Sequence, residues 1–174
     1  RSRVTPVSNR TLVPTPDEIG AFVSDASPTA YERLVDRLLA SPRYGEHRAH
    51  YWLDAARHAD TTGTHRDPFR RTWPYRDYVI RSFNENKPFD RFAIEQIAGD
   101  LLPAESFDPL VATGFVRAHI TTSAVGEVTE DLQMVNVNER VNTVSTVFLG
   151  LTSACAGCHD HKFDPITQKE FYQL

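Results

Sequence analysis

The sequence predicts an all-α fold, an irregular multi-helix domain, on three observations. Proline recurs just after Thr, Ser or Trp at the openings of apolar-periodic stretches (Thr15-Pro16, Ser27-Pro28, Ser41-Pro42, Trp73-Pro74). There its fixed φ suits a first helical turn and its missing N–H costs nothing. Between these openings apolar residues recur at intervals of three and four, and no strand-like alternation or internal repeat stands against that reading. With 174 residues, 40% hydrophobic and 24% charged, the chain can bury a real core. A net charge of −4 and a pI near 6.0 leave no basic footprint for nucleic acid. No apolar run approaches the roughly 18 residues of a membrane-spanning helix.

Residues 1–12 carry polar residues and a proline without period and read as a linker or strap, leaving 13–174 as a single helical domain. Thr15-Pro16-Asp17-Glu18 starts a short helix to about Asp25, with a cap and acids in its first turn. Ser27-Pro28 opens the second through Leu39, with Tyr31, Leu34, Leu38 and Leu39 at helical spacing. Ser41-Pro42 opens the third, predicted to about Asp60. Ala49, Trp52, Ala55, Ala56 and Ala59 gather on one of its sides, and His47, His50, Tyr51, Asp54 and His58 on the other. Imidazoles and a carboxylate one turn apart can chelate a metal, although a solvated polar face has the same composition.

Residues 61–73 form a polar loop whose Arg66, Arg70 and Arg71 are either surface charges or carboxylate clamps. Trp73-Pro74 opens a fourth helix with Tyr75, Tyr78, Val79 and Phe83; Lys87-Pro88 opens a fifth through Leu102, stopped by Pro103; a sixth runs from Asp108 to about Ala118. Residues 119–126 are irregular. From Glu127 a seam of Met134, Val137, Val141, Val144, Phe148 and Leu151 predicts a seventh helix to Gly150, despite its β-branched residues. Thr167-x-x-Glu170 is a capping box for a final helix carrying Phe171, Tyr172 and Leu174.

The chemistry concentrates between the last two helices, in Cys155-Ala156-Gly157-Cys158-His159 followed by Asp160-His161-Lys162-Phe163-Asp164-Pro165. C-x-x-C-H is the attachment signature of a c-type haem, in which Cys155 and Cys158 bond the porphyrin and His159 is the proximal iron ligand. Half of a zinc site lacks its second pair of ligands, a thioredoxin-type pair lacks its βαβ setting, and a disulfide across so short a loop adds little stability. A haem near the C-terminus requires export, because cysteine–haem ligation takes place outside the cytoplasm. Both ends of the chain are abrupt, as expected of a piece of a longer multidomain chain.

On the distal side, His119 at a helix end is the lead candidate ligand, with His50 and His58 as further candidates and an open site also allowed. Met134 is the only methionine. On a continuous helix it would lie about 25 Å along the axis from Leu151, so it reads as a core residue of the seam. His161, two residues past the proximal ligand, cannot easily reach the opposite face of the same iron. Glu95, Asp100, Glu127, Glu130 and Asp131 could supply an acid/base pair, but their spacing is that of solvated helix faces.

Several motifs in order resemble the planctomycetal cytochrome-c-like domain family. They are Leu38-Leu39-Ala40-Ser41-Pro42-Arg43-Tyr44-Gly45-Glu46, Trp52-Leu53-Asp54, Trp73-Pro74-Tyr75-Arg76-Asp77, Ile94 to Pro103, Arg140-Val141-Asn142-Thr143 and the C-x-x-C-H-D-H-K-F-D-P-I ending. The similarity runs from about Val13 to Leu174 and implies an exported, periplasmic or extracellular haem-c domain of large multidomain proteins. The expected function is electron transfer through a covalent haem, with a partner domain or protein as donor or acceptor. The alternatives are a haem- or metal-dependent oxidoreductase acting directly on a substrate such as a carbohydrate, and a non-haem structural or binding module.

Overall fold

The computed structural model describes residues 13–63, 67–103, 106–119 and 130–174. The expected linker at 1–12, Arg66, Glu127 and the irregular stretch beyond His119 lie outside these residues. Eight α-helices follow in order among the described residues: α1 Pro16–Ser24, α2 Ala30–Leu39, α3 Arg43–Ala55, α4 Trp73–Asn84, α5 Phe89–Ala98, α6 Asp108–Ala112, α7 Glu130–Val144 and α8 Gln168–Phe171. Extended pairing among them is limited to an isolated bridge between Thr61 and Phe69. The all-α expectation holds, and no helix is long and apolar enough to cross a membrane.

Local signals account for the ends of these helices. The Thr15 and Thr167 side chains each accept from the backbone N–H three residues on, while Glu18 and Glu170 reach back to the cap N–H, so both boxes form. The third helix stops at Ala55, short of the expected Asp60. Arg57 takes φ +58°, its N–H donates to Asp54 O, and His58 N–H donates to Leu53 O. This is a Schellman ending with arginine where glycine is usual, so no residue there marks a stop. The sixth helix likewise tightens early, into a 3₁₀ turn at Thr113–Arg117.

The main core lies where α3 and α4 cross and α5, α6 and the turn after it cover them. Ala49, Ala56, Tyr75, Tyr78, Val79, Phe92, Ala112 and Phe115 are buried there. Gly45 sets the approach of α3 and α4: a Cβ there would meet the Asn84 side chain and Ile80 O at 2.5 Å, and Asn84 Oδ1 instead accepts from Gly45 N–H at 2.8 Å. Trp52 is ringed by Phe89, Phe92, Phe115 and Phe148. Its indole N–H points at Tyr75 Oη and Gln96 Oε1, so the one polar atom of the indole is satisfied inside the cluster. The expected small-residue face of α3 is realised at Ala49 and Ala56, whereas Ala55 and Ala59 are exposed. The stripe of α2 is also largely exposed at Tyr31, Leu38 and Leu39.

Candidate functional site

A second, smaller cluster carries the C-x-x-C-H segment. After α7 the helix widens into a π turn at Ser145–Leu149 and ends on Gly150, whose φ of +65° is left-handed. Glycine adopts that conformation without the Cβ penalty. The chain then turns back along α7. Ser153 Oγ donates to Asn142 Oδ1 at 3.3 Å, and Ala156 packs with Val141, Val137, Ile166 and Phe171. Gly157 lies beside Asn138 and against the Phe171 ring, which would be 3.6 Å from a Cβ. The α8 end clamps the same spot, since Tyr172 Oη and Gln168 Nε2 both donate to Gly157 O, at 2.8 and 3.2 Å.

Within this frame Ser153–Gly157 form a 3₁₀ turn, closed by Cys158 N–H donating to Cys155 O. Residues three apart are eclipsed in such a turn, so Cys155 and Cys158 stand on the same side of it. Both are exposed and both thiols are free. His159 is exposed too. Its Nδ1 lies 2.7 Å from Asp160 O, and because a carbonyl can only accept, Nδ1 carries the proton and Nε2 keeps its lone pair. An imidazole held through one nitrogen by a backbone carbonyl, with the other left open, is the usual arrangement of a metal-ligating histidine.

His161 is wired the opposite way. Its Nδ1 accepts from Phe163 N–H and Asp164 N–H, at 3.3 and 2.8 Å, while the His161 backbone N–H donates to Ile166 O. The ring is largely buried and holds the 161–166 turn, so its Nδ1 lone pair is already in use. The two thiols and the His159 imidazole therefore fit a covalently attached haem, and His161 serves as the strut beneath them.

The remaining expected site residues are not brought to this place. His119 is 2% exposed, its Nε2 lies 3.3 Å from Asn136 Oδ1, and its buried Nδ1 has no hydrogen-bond partner among the described residues. Burial, reinforced by the Arg140 cation, holds this imidazole below its usual range and so neutral. His119 meets α7 at Asn136 and Arg140. The motif meets α7 at Val137, Asn138 and Val141, roughly a third of the way round the helix at 3.6 residues per turn. The Arg70 guanidinium donates to the carbonyls of Arg117, Ala118 and His119 and so caps the 3₁₀ turn of the main core, a structural task that neither the surface-charge reading nor the carboxylate-clamp reading anticipates.

The histidine stripe of the third helix does not assemble. Because α3 ends at Ala55, His58 leaves the helix, packs beside Tyr75 and sits 3.4 Å from Thr72 O. His50 and Asp54 approach to 3.6 Å, His47 turns its ring to Tyr51, and the described residues contain no group of three or more potential ligands. Glu95 is equally committed, 4% exposed and accepting from Tyr78 Oη, Lys87 Nζ and Arg91 Nε at 2.6–2.7 Å. It holds the core, and it is not half of an acid/base pair.

Met134 departs from its expected place. It is 46% exposed, although its seam mates Val137 and Val141 pack on the motif and Val144 and Phe148 pack on the main core. A family model described as PSCyt2, protein of unknown function (DUF1549), matches residues 10–174. Comparisons with curated proteins and with solved structures find no match.

Proposed function

We propose that this chain, which belongs to the PSCyt2 family, holds a c-type haem on its C-x-x-C-H turn and serves as an electron-transfer module. The observation that carries the reading is the wiring of the turn: two free, exposed thiols on one side, and a His159 Nε2 left open by the bond from Nδ1–H to Asp160 O. Cys155 and Cys158 would hold the group by thioether bonds, each S–H adding across a porphyrin vinyl C=C, so that attachment would consume no oxidant. Once bound, the group supplies a one-electron iron couple.

The protein's part is to fix the ring edge through Cys155 and Cys158 and to hold His159 in one tautomer. It also backs the turn with Phe171, Tyr172 and α7 so that the ligand does not swing. The exposed position of the turn suits electron exchange with a partner domain or protein. Attachment by thioethers belongs with an exported, periplasmic or extracellular protein. His119, the distal ligand expected from the sequence, keeps a buried Nδ1 with no hydrogen-bond partner among the described residues, but it meets a different side of α7 from the motif.

Expression with haem-attachment machinery, followed by spectra of the oxidised and reduced protein before and after denaturation, tests the reading. Haem should stay with the denatured chain and be lost from the C155S/C158S double variant. A well-folded chain without haem would overturn it in favour of a non-haem module. Haem that turns over an added substrate by itself would favour the oxidoreductase.

A further inference from the structure

We infer that Met134, the one methionine of the chain, is the distal iron ligand, an assignment that rests on the haem reading above. The return of the chain along α7 carries the argument. Asn142 is bonded to Ser153, Val141 packs on Ala156, and Asn138 lies beside Gly157, so each step towards the C-terminus in the motif is matched by a step back along α7. One further turn back from Asn138, about 6 Å along the axis, is Met134. Carried on at that pace, Met134 comes level with the segment that follows Gly157, Cys158 to His161, which holds His159. The exclusion of Met134 on its separation of about 25 Å from Leu151 assumes a chain that runs on in the same direction, and after Gly150 the chain turns back.

Azimuth agrees with height. At 3.6 residues per turn Met134 falls within the arc of α7 spanned by Val137, Asn138 and Val141, the arc that the motif covers. His119 is against a different arc and already engaged with Asn136. The Met134 side chain is also uncommitted among the described residues: of the seam residues of α7 it is the one left 46% exposed. A thioether is a soft, neutral ligand that pairs with an imidazole on haem iron and raises the reduction potential relative to two imidazoles.

The test compares the haem-loaded unaltered chain with M134L, M134H and H119A, each checked for full covalent haem after denaturation. The unaltered protein should be low-spin and should not bind carbon monoxide. M134L, nearly isosteric and at a half-exposed position, should keep its haem and its melting temperature but become high-spin and bind carbon monoxide when reduced. M134H should stay low-spin at a lower reduction potential, and H119A should leave the spin state unchanged. A low-spin, carbon-monoxide-insensitive M134L overturns the assignment, as does an H119A variant that opens the iron or an unaltered chain that is already high-spin. In those three cases the haem reading stands. Failure of the unaltered chain to take up haem removes both.

Discussion

His159 and His161 stand two residues apart and present the same ring nitrogen, Nδ1, to the backbone in opposite roles, and the difference decides what each can do. The bond from His159 to Asp160 O consumes its proton-bearing nitrogen and leaves the other lone pair outward; His161 spends its lone pair on two amides of its own turn. An H161A variant should leave two amides without their acceptor and cost about 1–3 kcal/mol. It would be read as a lowered melting temperature with both thioethers still formed. Glu95 is the second residue with a clear signature. Burial pushes its carboxyl up, but the hydrogen bonds from Lys87, Tyr78 and Arg91 outweigh that and hold it below its ordinary 4.5. A folded-state value lower than the unfolded one means a contribution that is complete above about 4.5 and drains away as pH falls through the lowered value. Urea titrations across that acid range should show the decline in the unaltered chain and a flatter profile in E95Q. At neutral pH E95Q should be less stable by about 3 kcal/mol, since Lys87 loses its partner in a largely buried setting.

Among the elements, two glycines set the geometry that matters. The Cβ of G45A would press on Asn84 and on the Ile80 carbonyl, so α3 and α4 must separate, at a cost of about 1–3 kcal/mol in thermal or denaturant unfolding. Gly150 has open space around it and is needed for its φ of +65° alone. G150A should therefore cost about 1 kcal/mol. On the proposed haem reading it should also loosen iron ligation in the loaded chain, read as high-spin character and carbon monoxide binding, because the return of the chain along α7 begins there. The α7 seam shows how one periodic stripe can serve two purposes: its C-terminal half, Val144 and Phe148, closes the main core, and its middle, Val137 and Val141, seats the motif.

At the scale of the whole molecule, the described residues form two buried clusters and a lightly attached pair of helices. No residue of α1 or α2 is buried. Deleting residues 1–40 should leave the cooperative unfolding transition of the rest in place, which circular dichroism on heating would check. The order of the helices was legible because proline, caps and apolar spacing act locally, and the cap expected at Thr15 and the capping box expected at Thr167 both formed. Their ends were less so: Arg57 adopts a glycine-like conformation that its side chain does not advertise, and the Thr113–Arg117 turn tightens without a sequence signal. At the site, Cys155, Cys158 and His159 were legible as a motif. The surroundings of Met134 were not, because they depend on the direction the chain takes after Gly150, and a glycine marks a stop without giving a heading. The burial of His119 against Asn136 is likewise set by contact between distant segments, which periodicity does not encode.

The small cluster that seats the motif is built from residues 137–171, close together in sequence and largely separate from the Trp52 core. Such a unit can open by itself, and its amides should exchange with deuterated solvent through a sub-global event cheaper than full unfolding. A group bonded at Cys155 and Cys158 and ligated from both α7 and the turn would staple that unit shut. Amide protection over 137–171 then becomes a direct gauge of how completely the protein has been matured.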